Sequence, residues 1–234
     1  MRAGIVVFPG SNCDADTRWV LEEKLGLPCR MLWHKESIQG ELDLIVLPGG
    51  FSYGDYLRTG AIAAVSPVMQ DLKRHARRGG LLLGICNGFQ ILCEAGLLPG
   101  ALMTNAGLRF LCRDVRLKVE RLDTPFSGAM AGHATLRMPI AHHGGRYVCS
   151  PEELEELEDR RRVLFRYCDG EGRATDEANP NGSLHNIAGI LGGEGRILGM
   201  MPHPERAADE AQGSADGLAL FRSLAGAVET LATL

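Results

Sequence analysis

Leu81-Leu82-Leu83-Gly84-Ile85-Cys86-Asn87-Gly88-Phe89-Gln90 joins an apolar run to helix-forming residues that continue as far as Gly96, with a Gly-x-Cys-x-Gly turn at the junction. The pattern predicts a strand, a tight turn and a helix. A residue at the apex of such a turn is held in strained backbone angles while neighbouring chain passes close by, which glycines two positions to either side allow. The turn pushes the Cys86 sulfur outward, to the N-terminus of the helix. There, unpaired N–H groups and the helix dipole stabilise negative charge. Cys86 therefore reads as the nucleophile of an elbow, against the plainer alternative of a small buried residue in a glycine-rich turn.

Composition sets the frame around this turn. With 45% hydrophobic and 23% charged residues in 234, the chain is of ordinary globular type and long enough for one well-buried α/β domain spanning 1–234. A net charge of -4 without a basic stripe argues against nucleic acid and membrane surfaces as partners, and points to a small molecule or a protein. Seven cysteines, an odd set without a C-x-x-C pair, argue against a disulfide framework and against a metal site. The N-terminal apolar run, residues 5–8, is too short for a signal-peptide core or a membrane span, so a reducing, cytoplasmic location is expected.

Outward from the elbow, strands are expected at 3–8, 29–33 and 42–47, and helices at 14–25 and, capped by Ser66 before Pro67, through 66–78. Continuous apolar runs ending in Pro-Gly are those of parallel strands buried on both faces, which makes the fold class a doubly wound, mostly parallel α/β sheet with helices on both faces. Pro48-Gly49-Gly50-Phe51-Ser52-Tyr53-Gly54-Asp55-Tyr56 leaves the C-terminal end of a strand, the edge where such sheets bind ligands. Paired glycines let a backbone N–H approach an oxyanion, so Gly50 or Phe51 is a candidate donor. Beyond residue 100 come shorter strands at 115–119, 134–140 and 163–167, suited to hairpin-like pairing at one end of the sheet. A charged helix at 151–162, a surface loop at 168–182, last strands at 186–191 and 196–200 and a closing helix at 217–231 complete the chain.

The second constellation follows the last strand. In Met201-Pro202-His203-Pro204-Glu205-Arg206, prolines on either side of His203 should hold the backbone extended, so that residues i and i+2 project to one side and His203 meets Glu205. A carboxylate on one imidazole nitrogen fixes the tautomer and makes the other more basic, as a base serving a thiol requires. Cys86, His203 and Glu205 would converge because both segments leave strand C-termini. His142-His143 lies in a turn before Gly144-Gly145 and is less informative.

The elbow residues 84–90 together with Pro202-His203-Pro204-Glu205 resemble the class I (triad) glutamine amidotransferases. Residues 7–14, 47–58, 179–183 and 199–206 extend the likeness to the glutaminase subunits of purine biosynthesis. The resemblance implies a flavodoxin-like domain in which Cys86 attacks the glutamine carboxamide, His203 is acid and base, and Glu205 orients it. It assigns the oxyanion to the N–H of Asn87 with one from Gly50 or Phe51, and places Gln90 against the bound glutamine. It also implies that no cofactor binds this chain. ATP and magnesium would belong to a large synthetase subunit that turns formylglycinamide ribonucleotide into its amidine with the released ammonia, and a small third subunit would assemble the complex. One position departs from the pattern: Gly144 stands where the family usually has an acidic residue. A stand-alone cysteine hydrolase such as a γ-glutamyl hydrolase, and a non-catalytic binding module, are the competing readings.

Overall fold

The computed structural model describes residues 1–232. In chain order the strands are β1 (Ala3–Val7), β2 (Cys29–Trp33), β3 (Leu44–Leu47), β4 (Leu81–Ile85), β5 (Ala101–Met103), β6 (Leu111–Val119), β7 (Leu136–His142), β8 (Arg146–Val148), β9 (Val163–Cys168), β10 (Ile187–Gly192) and β11 (Ile197–Met200). The helices are α1 (Asp14–Trp19, continued by a π-helical stretch, Val20–Lys24), α2 (Val68–Arg77), α3 (Asn87–Glu94), α4 (Pro151–Asp159) and α5 (Leu218–Ala232).

Nine strands form one sheet in the order β2-β1-β3-β4-β11-β10-β9-β6-β7, and β5 pairs with β8 in a separate ribbon. From β2 to β11 neighbouring strands run parallel. From β11 to β7 every pairing is antiparallel, which is the hairpin-like end expected from the shorter strands. The parallel half is built from the runs with no polar alternation: all four residues of β3, all five of β4 and all four of β11 are buried. Burying one such aliphatic side chain is worth about 1.5–3 kcal/mol, so these strands form a stiff floor for whatever leaves their ends.

The chain steps from β1 through α1 to β2 on one side and, by way of β3, through α2 to β4 on the other. Right-handed crossovers in opposite directions place α1 and α2 on opposite faces and make the gap between β1 and β3 the switch point of the sheet. The loops after β1 and β3 cross there, joined by a bridge between Ser11 and Gly50.

Local differences from the sequence pattern have simple causes. Ser66 does not cap α2: Pro67 is the capping residue, and the Ser66 hydroxyl lies 3.1 Å from Tyr53 Oη instead. Helix α4 is started by a full capping box between Ser150 and Glu153. The strands β5 and β8 have only three residues each, too few to show a period. Among the described residues no helix is long and apolar enough to cross a membrane.

Candidate active site

The elbow at the end of β4 is strained as the sequence requires. Cys86 has φ 50° and ψ -102° and is the capping residue of α3. A Cβ on Gly88 would sit 2.0 Å from the Leu47 carbonyl oxygen, and one on Gly84 would sit 2.7 Å from the Gly88 backbone. Bare backbone at both positions lets α3 lie directly on β3 and β4. The Cys86 N–H donates to Met200 O at 2.7 Å, which prolongs the pairing of β4 with β11 past the end of the strand. The sulfur is not exposed, as an outward-pushed elbow residue would be: Cys86 is only 4% accessible, and its thiol faces the Ala141 carbonyl at 3.8 Å. The antiparallel half of the sheet supplies the lid, since edge strand β7 presents the Pro139 and Ala141 carbonyls from its free side.

Because β11 is the parallel neighbour of β4, with Met200 opposite Ile85, the segment after β11 emerges beside the elbow. His203 N–H donates to Pro139 O at 2.9 Å, and His203 Nδ1 lies 2.6 Å from Glu205 Oε1 with both residues buried. The contact arises differently from expectation. His203 is extended, but Pro204–Arg206 forms a turn of 3-10 helix, because a proline's fixed φ suits the first position of a helical turn. That turn, and not an extended i, i+2 alignment, swings Glu205 back onto the ring. Burial acts to lower the His203 pKa, but the Glu205 carboxylate and the charge of Cys86 outweigh it, and the pKa lies well above the ordinary histidine value. His203 Nε2 is buried with no hydrogen-bond partner among the described residues.

The remaining expected residues form a chain of contacts. Ser52 N–H donates to Asn87 Oδ1 (3.1 Å), Asn87 Nδ2 donates to Gln90 Oε1 (2.9 Å), and Gln90 Nε2 donates to Gly144 O (2.6 Å). The two candidate oxyanion donors separate here: Phe51 N–H is already given to Gly10 O at 2.9 Å, so Gly50 is the one whose N–H is not engaged in this way.

Two side chains of the site carried little or no signal in the sequence. Cys13, in the loop after β1, is buried with its sulfur 3.8 Å from His203 Nδ1. Burial pushes its thiol pKa up. Ligand-type atoms of Cys13, His203 and Glu205 lie within 4.8 Å of one another, and the His203–Glu205 contact has hydrogen-bond length. The second is His142, the last residue of β7, which is buried and not in the turn. Asn105 Nδ2 donates to Arg109 O (2.9 Å) and His142 O (3.0 Å), which turns its Oδ1 to Gly145 N–H (3.0 Å) and to His142 Nδ1 (3.1 Å). An amide oxygen only accepts, so His142 carries its proton on Nδ1. Burial, and next the charge of His203, push its pKa down to about 4. The loop beyond is pinned by Asn181 Nδ2, which donates to Gly145 O at 2.8 Å. The signal for this network is present only as isolated asparagines, Asn105 and Asn181, the second within the segment 168–182 that reads as surface loop.

The comparisons with known proteins agree with this geometry. The family model of the CobB/CobQ-like glutamine amidotransferase domain matches residues 1–220, and the chain belongs to that family. It is thus an enzyme of the glutamine amidotransferase class. Among its relatives, phosphoribosylformylglycinamidine synthase subunit PurQ of a Synechococcus strain is 56% identical over 224 residues, 96% of either chain. The subunit of the same name from Bradyrhizobium diazoefficiens is 52% identical over 233 residues, 99% of this chain and 100% of the relative. A chain in the structure of PurLQS from Thermotoga maritima superposes with a TM-score of 0.85 at 43% identity, covering 97% of this chain and 98% of that one.

Proposed function

We propose that this chain is the glutaminase subunit of a phosphoribosylformylglycinamidine synthase, using Cys86, His203 and Glu205 to release ammonia from glutamine for a partner synthetase. The observation that carries the reading is the neighbouring of two parallel strands, β4 ending in the strained Cys86 and β11 leading to His203 with Glu205 behind it.

The Cys86 sulfur attacks the glutamine carboxamide carbon as the thiol proton passes to His203 Nε2. The oxyanion forms where the first N–H of α3, that of Asn87, and the Gly50 N–H can converge, and each such donor is worth on the order of 3 kcal/mol. His203 Nε2 passes a proton to the departing nitrogen, ammonia leaves, and a thioester remains. The same nitrogen then takes a proton from water, whose oxygen attacks the thioester carbon, and returns it to the departing sulfur, so that glutamate and the free thiol are released. Glu205 holds Nδ1 protonated throughout. Gln90, braced between Asn87 and Gly144, lines the place for the substrate's glutamyl part. The ammonia must travel unprotonated, so a shielded passage leads from here into the synthetase. That partner holds ATP, magnesium and the formylglycinamide ribonucleotide, and a small third subunit completes the assembly. The relatives' names, each that of one subunit of such a synthase, support the presence of partner subunits, and this chain needs no cofactor of its own for the half-reaction.

In the assembled complex Cys86→Ala should abolish amidine formation from glutamine and leave formation from ammonium intact. Equal loss with both nitrogen sources would overturn the assignment. Intact mass after treatment with a diazo-ketone glutamine analogue gives the complementary test. Labelling of wild type but not Cys86→Ala, strengthened by the synthetase, is expected. Strong labelling indifferent to the synthetase would favour a stand-alone hydrolase.

A further inference from the structure

The Pro9-Gly10-Ser11-Asn12-Cys13-Asp14 segment has no role in the chemistry just described, yet it reaches the catalytic histidine. Cys13 is fixed on three sides: its N–H donates to Gly49 O (3.1 Å), and its carbonyl accepts from Thr17 N–H (3.0 Å) and from the Thr17 hydroxyl (2.8 Å). The thiol proton is given to Asn12 Oδ1 at 3.1 Å. What the sulfur turns to His203 Nδ1, 3.8 Å away, is therefore lone-pair density, beside the shorter bond to Glu205. Gly49 makes room for this arrangement, since a Cβ there would lie 2.6 Å from His203 Cε1 and 3.0 Å from the Cys13 sulfur. Three residues on, Asp16 holds Arg206 at 3.0 Å and so ties the turn that carries Glu205 to the same helix, α1.

We propose that Cys13 is a positioning residue for the catalytic histidine: with Glu205 it clasps the Nδ1 side of the His203 ring, so that Nε2 is the nitrogen left to serve Cys86. This rests on the triad reading above. Cys13 is not a second nucleophile, because it lies on the nitrogen already taken by Glu205 and its backbone, at φ -109° and ψ 10°, has no elbow strain. Its burial also keeps it a neutral thiol, which can accept from the imidazole N–H without competing for substrate. Clasping of this kind sets a ring angle, and misplacements of about 1 Å in a catalytic group cost up to about a hundredfold in rate.

The test uses the assembled complex with glutamine and the variants Cys13→Ala and Cys13→Ser. Cys13→Ala should lower kcat about tenfold with KM for glutamine within about twofold, and Cys13→Ser, whose hydroxyl can replace the sulfur, should recover to within about threefold of wild type. The groups facing His203 are Glu205 on its own turn, Cys86 on the elbow, Cys13 on the loop after β1 and His142 on β7. Of these only Cys13 changes, so the His203 limb of the kcat/KM pH profile should move to lower pH in Cys13→Ala and return in Cys13→Ser. Wild-type kcat and profile in Cys13→Ala overturn the inference, and so does equal loss in both variants with the limb unmoved. Cys86→Ala assayed alongside separates the two levels. If it is inert while Cys13→Ala is normal, only the role of Cys13 falls. If it still turns over glutamine and the diazo-ketone label maps to Cys13, the triad reading falls with it.

Discussion

The parallel and antiparallel halves of the sheet meet at one site and contribute to it in different ways. Strands β1, β4 and β11 deliver side chains: Cys13, Cys86, His203 and Glu205 all stand on the segments leaving their ends. The antiparallel half delivers chiefly backbone. Pro139 O receives His203 N–H, Ala141 O faces the Cys86 thiol, and Gly144 O receives the Gln90 amide. A side chain's chemistry is tied to residue type, whereas a carbonyl is available from any residue, so the first half leaves a signature in sequence and the second leaves almost none.

That contrast explains which parts of the site are legible in the amino-acid sequence. The Gly84-x-Cys86-x-Gly88 turn is legible because only glycine fits against Leu47 O and the facing backbone. The His203–Glu205 pair is legible because imidazole and carboxylate are the groups the proposed reaction needs, although the segment that joins them is a helical turn where the flanking prolines suggest an extended one. Which strand lies beside which is not legible, and without the order β4-β11 the two motifs cannot be brought together. The curl that brings edge strand β7 over the elbow, the burial of Cys86 beneath it and the Asn105 network behind His142 depend on contacts between segments 30 or more residues apart, which local pattern does not encode.

The largest effects should come from the side-chain half. His203→Ala should reduce glutamine-dependent turnover on the order of a thousandfold, the usual worth of a proton carrier, and Glu205→Ala should cost about tenfold less because it acts through the ring. Steady-state rates of the complex with saturating glutamine decide this. If Glu205→Ala were the more damaging, the carboxylate would be doing chemistry itself, and the division between a reacting group and its support within this half would have to be redrawn.

A smaller effect separates the two histidines of the site, one from each half, through pH. His203 has a raised pKa, so its contribution favours the fold below the unfolded value near 6.5 and is lost as pH rises through the folded value. His142 has a folded pKa of about 4, so between 6.5 and 4 the unfolded chain binds the proton that the folded one refuses, and stability falls as pH falls. At about 1.4 kcal/mol per unit the His142 window amounts to about 3 kcal/mol. Thermal melts of wild type and His142→Gln from pH 7 to 4 should show the variant less stable at pH 7 but with a flatter decline. Parallel curves would mean that His142 titrates normally and that β7 is not sealed over the site.

The smallest effect should be at Gly144, and it is the most direct test of the backbone contribution. Gly144 has no positive φ, and a Cβ there would meet Gln90 Nε2 and Thr59 Oγ1 at 3.6 Å, ordinary contact distance. What Gln90 uses is the carbonyl, which alanine supplies equally well. Gly144→Ala should therefore change stability by no more than about 0.5 kcal/mol, with a slight gain from the restricted unfolded chain, and should leave KM for glutamine within about twofold. Melting temperature and steady-state kinetics check both. The contrast with Gly88, where the same methyl group would be driven to 2.0 Å from Leu47 O, then turns on geometry alone. A large rise in KM with unchanged stability would show that the substrate itself passes within a methyl's reach of residue 144, and the antiparallel wall would be recognising glutamine by shape as well as by its carbonyls.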